Sequence, residues 1–167
     1  VVLDQAWMLD SRLTGASLAG ASLFGTQLMG AKMDGADLTG ARVAGDLSRA
    51  SLKGARFDGA DLSADMKNQS MGLMRGVLRS ADLDGASFAG ANLSRVVLEF
   101  ATLRNASLAG ARLDGSELAG ADFTGANVAG ASFQGADVNS ARLVDLAGAE
   151  SAKGLDTAKD LDRAIRK

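Results

Sequence analysis

The sequence contains no cysteine, no histidine, no proline and no tyrosine, and only one tryptophan. Without thiols or imidazoles there are no disulfides, no zinc sites of the thiolate or imidazole kind, and no Cys- or His-based catalytic apparatus. A dominant charge is also lacking. The 18 Lys and Arg against 20 Asp and Glu leave a formal −2, which offers no basic field to nucleic acid or anionic lipid. No apolar run approaches the roughly 20 residues of a membrane span. The expectation is a soluble protein, cytoplasmic rather than periplasmic, with no direct nucleic-acid binding and no membrane insertion. The chain opens on Val1 rather than an initiator Met, so an upstream segment is expected to have been removed.

What is present is a beat of five. ASLAG (16–20), ASLFG (21–25), ADLTG (36–40), ADLDG (81–85) and ADFTG (121–125) are successive samples of one pattern. Nine units run over 1–45, a shortened unit DLSR over 46–49, three over 50–64 and fifteen over 71–145, with DMKNQS (65–70) left between them. The third position of these 28 units is always Leu, Phe, Val or Met, which marks it as inward-facing. The first position is Ala in 20 units and the fifth is Gly in 17, so a small residue joins the large one inside and a corner follows. A period of five fits neither the 3.6 of a helix nor the 2.0 of a strand.

The pattern A-(D/N/S/R)-L-x-G resembles the pentapeptide repeat proteins, whose consensus is A-(D/N)-L-x-x, over residues 1–145. That resemblance implies an all-β fold, a right-handed quadrilateral β-helix with four pentapeptides per coil and about seven coils at the ~4.8 Å interstrand spacing. It also implies a bacterial source. Residues 146–167 are expected to cap the last coil with a short helix, on the stripe Leu155, Ala158, Leu161, Ala164 and Ile165 after the capping-box-like TAKD (157–160). With no lid at Val1, the chain is expected to be a monomer or an end-to-end dimer.

Chemistry finds no foothold in the motifs. The Gly-rich stretches follow from the period and lack the Lys-Ser or Lys-Thr of a phosphate loop, and GAESAKG (148–154) has its Lys before the last Gly, the wrong order. The N-x-S sequons at Asn68, Asn92 and Asn105 follow from composition. Outward carboxylates on a scaffold without a cleft are solvated, so no enzyme, no cofactor and no metal is expected. A soft-metal site of the thioethers Met66, Met71 and Met74 would have no Cys or His to support it.

Information therefore sits on outward positions, and most are bland. Over 71–105 they are not: corner glycines give way to Arg75, Ser80, Arg95, Phe100 and Asn105, and the inward Ala to Met71, Gly76 and Val96. Residues 20 apart stack, which places Val77 on Val97, Arg79 over Glu99, and the like charges Arg75 and Arg95 in one column. The expected site is a protein-binding patch of Met74, Arg75, Val77, Arg79, Arg95, Val97 and Phe100, for an unidentified partner. A smaller apolar cluster of Trp7, Leu9, Phe24 and Met29 lies near the first coil. The alternative comes from the resemblance, since some pentapeptide repeat proteins mimic duplex DNA and bind DNA gyrase. Such mimicry needs acidic columns, whereas residues 1–145 mix 16 acids with 13 bases and offer one short acidic step, Glu117 over Asp137.

Overall fold

The structure, a computed structural model, describes residues 1–67 and 72–167. Parallel bridges join each unit's second residue to its counterpart one coil later, in four columns that define the four faces of a repeat solenoid. Face 1 begins Val2, Ser22, Arg42 and Asp61; face 2 Trp7, Gln27, Asp46 and Val77; face 3 Arg12, Lys32, Ser51 and Asp82; face 4 Ser17, Asp37, Arg56 and Ser87. Among the described residues, these columns make seven complete coils and three faces of an eighth.

Most corners are turns closed from the first residue of one unit to the centre before it, as from Ala101 N to Leu98 O at 3.0 Å. The fifth residue carries φ near +60°, the requirement of a type II turn at that place and the reason Gly recurs there. Ten other residues also adopt it, Arg49, Ser80, Arg95 and Phe100 among them. Between coils, the N–H of each centre reaches the facing unit, as Leu98 N to Glu117 O at 2.8 Å. Centres from Leu18 to Leu143 that belong to a face are buried, while Leu3, Met8 and Leu13 of the first coil are half-buried.

The D/N of the pattern has a mechanical role. At the second position, Asp46, Asp61, Asn92, Asp122, Asn127 and Asp137 each accept the N–H two residues on, which locks the turn. At the fourth position, Asp4 accepts from Ser22 Oγ (2.6 Å) and Phe24 N (3.0 Å), and Asp34 from Ser51 Oγ (2.6 Å) and Lys53 N (3.0 Å), which clasps one coil to the next. Asp58 with Ser87 and Asp114 with Ser132 repeat the arrangement.

These clasps make stability depend on pH. The hydroxyl of Ser22 and the N–H of Phe24 hold Asp4 below the ordinary carboxylate value. Burial raises Asp84, but its hydrogen bonds with Arg104 outweigh that, so it also lies low. A depressed folded-state pKa gives stability that is present above the unfolded value and is lost as pH falls through the folded one. Melting temperature is therefore expected to hold from neutral pH to about 5 and to decline below about 4. Thermal scans should show this decline to be shallower in an Asp4→Asn, Asp84→Asn double variant.

Two expectations are corrected. The ladder steps from Asp61 directly to Val77, so residues 72–75 carry no step of the four columns, and Leu73, read as a centre, is exposed. The departure spans more than DMKNQS; residues 68–70 of that insert, and Met71, lie outside the described residues, and with them the Asn68 sequon and one of the three thioethers.

The second correction concerns residues 146–167. Among the described residues there is no α-helix, only 3₁₀ turns at Ala149–Ser151 and Leu161–Arg163. The winding continues instead through Ala147, Lys153, Lys159 and Ile165, six residues per face. Ala152, Ala158 and Ala164 repeat at six, and Leu155 and Leu161 interleave three residues later, so the whole imitates a helical i, i+3 stripe. Positive φ at Gly154 and Asp160 excludes the helix.

A candidate docking face

Face 2 is unlike the others. Its coils present Trp7, Gln27, Asp46, Val77, Val97, Glu117, Asp137 and Lys159, and its flanking corners carry Leu9, Phe24, Met29 and Phe100. Trp7 is 83% exposed and Phe100 63%. The two apolar clusters seen separately in the sequence thus lie on one face, with Trp7 and Phe100 four coils, about 19 Å, apart.

The excursion between Asp61 and Val77 returns across this face as a strap. Asp65 N donates to Met74 O at 2.8 Å. Met74 Cε lies 3.4 Å from where a Cβ on Gly25 would stand, so the strap touches coil 2. In the other direction Arg75 Nη1 donates to Arg95 O (3.0 Å) and to Glu117 Oε1 (2.8 Å), two coils beyond its own. Around residues 73–75 a cavity of about 160 Å³ remains, lined by Gly25, Ala44, Gly45, Asp46 and Val77.

The expected patch therefore divides. Arg79 pairs with Glu99 at 2.8 Å through Nε, as the register implied, and both this pair and Phe100 are open to solvent. Val97 stacks with Val77 but is 2% exposed, not outward and free: the Arg75 side chain, fixed at Arg95 and Glu117 on either side of it, covers it. Arg75 and Arg95 form no like-charge column, because Arg75 has left the corner to neutralise Glu117. That contact joins residues 42 apart and has no local signature. Gly76 and Val96 occupy inward positions as expected, both buried.

Phe100 holds φ +58°, a conformation rare for a bulky residue, and its ring lies over Gly120, where a Cβ would come within 2.6 Å of it. Elsewhere the described residues contain no cluster of three or more acidic, His or Cys side chains able to hold a metal, and no helix long and apolar enough to cross a membrane.

Comparisons with known proteins agree with the geometry. The crystal structure of Rfr23, a pentapeptide repeat protein from the cyanobacterium Cyanothece 51142, is 22% identical, covers 73% of this chain and 87% of its own, and has a TM-score of 0.55. A trypsin-treated variant of QnrB1, a plasmid-mediated fluoroquinolone resistance protein, is 17% identical over 100% of this chain and 90% of its own, with a TM-score of 0.50. At these identities the likeness is one of fold alone. No curated protein sequence matches the chain. The family described as pentapeptide repeats matches in eight copies over residues 8–43, 46–64, 77–108 and 106–145, and skips both the strap and the six-residue windings. The chain belongs to the pentapeptide repeat family.

Proposed function

We propose that the chain is a non-enzymatic interaction scaffold that docks a partner protein along face 2. One observation carries this reading. Apart from Val1 and Val2 at face 1 of the first coil and Ile165 on face 3 of the last, the exposed large apolar side chains among the described residues are Trp7 and Leu9 of the first coil, Met66, Leu73 and Phe100, all on face 2, its corners or the strap. Aromatic anchors framed by Arg79, Glu99 and Arg95 have the composition of an interface centre with a polar rim. Gyrase binding by DNA mimicry has less support, because Arg75 neutralises Glu117 and breaks the one acidic step the sequence offered.

The test is a Trp7→Ser, Phe100→Ser double variant. Both side chains bury little, so melting temperature is expected to stay within a few degrees of wild type. Loss of two interface aromatics is expected to weaken partner capture about 30-fold or more, since one such anchor commonly carries 2 kcal/mol. Val97 is unsuitable for this purpose: an Asp placed beneath the strap would unfold it. An unchanged set of captured proteins would remove face 2 from consideration.

A further inference from the structure

Two outward positions of face 2 and its corner are buried: Ala44 and Val97. The equivalent positions of other coils, such as Ala19, Thr14 and Thr102, are half or fully exposed. The strap makes the difference. It lies in a channel whose floor is shallow-sided because Gly25, Ala44 and Gly45 carry little or no side chain. The rod's faces are tied to each other by main-chain bonds at nearly every unit, whereas among the described residues the strap reaches this channel through two side chains, its main chain bonding back to Asp65. Met74 reaches the Gly25 corner at one end, and Arg75 reaches the Glu117 carboxylate and the Arg95 carbonyl at the other. Segments held in this way open at lower free energy than the scaffold beneath them.

We propose that this channel is a peptide-docking groove, occupied by the chain's own residues 73–75, and that it accepts in trans an extended peptide carrying an apolar side chain directly before an arginine. The chemistry of the guest is set by the groove. Small residues leave room for an unbranched apolar side chain, and a carboxylate beside a backbone carbonyl, at 2.8 and 3.0 Å from one guanidinium nitrogen, calls for a long cationic side chain that donates to both, as Arg75 does. Val97 between these two acceptors packs against the stem of the arginine. The strap is then an internal competitor, and a partner segment binds by replacing it. This deepens the interaction reading by naming the guest, but it uses neither Trp7 nor Phe100, so either result stands without the other.

Because the chain has no cysteine, Val97→Cys introduces a sole thiol under the strap, and Ser107→Cys on face 4 of the same coil is an uncovered reference. With a maleimide, the V97C thiol is expected to react about tenfold slower than the S107C thiol, and adding Arg75→Gln should erase most of that difference without changing S107C. The synthetic peptide Gly-Leu-Met-Arg-Gly at millimolar concentration should then protect the V97C thiol again, and the same peptide with Gln for Arg should not. If circular dichroism shows that Arg75→Gln disturbs the rod, Met74→Ser releases the strap's other anchor and replaces it. Equal labelling of V97C with and without the released strap would overturn the groove, and failure of the Arg peptide to protect would overturn binding in trans.

Discussion

Replacing Phe88 by alanine is expected to cost about 3–5 kcal/mol, a large share of the stability of a chain this size. Phe57 and Phe88 are the face 4 centres of coils 3 and 4, both fully buried, with ring centroids 4.7 Å apart and planes within 7°. Alanine removes one ring and leaves the other facing a void. The void cannot close, because the backbone on both sides is pinned: Phe57 N donates to Ser87 O at 2.6 Å and Phe88 N to Ser107 O at 2.7 Å. Sites that cannot relax give the upper end of the cavity range. Position adds to this. In a solenoid each coil is stabilised chiefly by its neighbours, so a fault between coils 3 and 4 separates a short N-terminal array from the rest. Denaturant unfolding should show a lower midpoint and a broadened or divided transition. A single sharp transition shifted by less than about 1.5 kcal/mol would mean that the column repacks, against the rigidity argued here.

The sequence disclosed the rod because its constraint is local and repeated. A buried centre, a small first residue and a positive-φ corner recur in most units, so one pentapeptide predicts the next. Leu73 shows where that logic fails. It stands five residues before Leu78 and so keeps the beat, but Met71 and Arg75 hold the places of Ala and Gly. Those departures do not by themselves mark a segment that is not a face, since Leu98 stands between Val96 and Phe100 and is a buried centre; what sets Leu73 apart is that, among the described residues, no bridge ties its unit into the four columns. Val97 failed for another reason: its register gives it an outward direction, yet it is buried where Arg75 reaches past it to Arg95 and Glu117, a contact made in three dimensions. The C-terminal windings failed because a stripe at every third residue fits both an α-helix and a six-residue face, and Gly154 and Asp160 decide between them. Trp7 and Phe100 were legible as exposed aromatics, but their shared face needed the strap's place in the count of coils.

Gly45→Ala is expected to destabilise the rod by about 3 kcal/mol or more, beyond the usual effect of adding one methyl to a packed site. Because the unit DLSR is one residue short, Gly45, the fifth residue after Val43 in the sequence, takes the place of the small first residue before Leu47 and lacks the positive φ of a corner. With one residue fewer to turn the corner, the backbone is drawn against the coil before it. A Cβ at Gly45 would stand 2.5 Å from Thr26 O, 3.1 Å from Thr26 N and 3.3 Å from Leu23 O. All three are main-chain atoms, so no rotamer change relieves the contact. Thr26 O is also the acceptor for Asp46 N at 2.9 Å, and the methyl would force apart the bond that joins coil 2 to coil 3. Gly54→Ala provides the comparison. Gly54 has φ +61° and nothing within 4 Å of its Cβ position, so alanine there meets only the backbone strain of about 1–2 kcal/mol. Urea midpoints of the two variants should differ clearly, with Gly45→Ala the lower, and Thr26→Ala should not restore it because the clash is with the Thr26 backbone. Equal losses would show that the coil can shift by an ångström at its shortened corner. In that case the floor of the strap's groove, which Gly45 helps to form, is not rigid either.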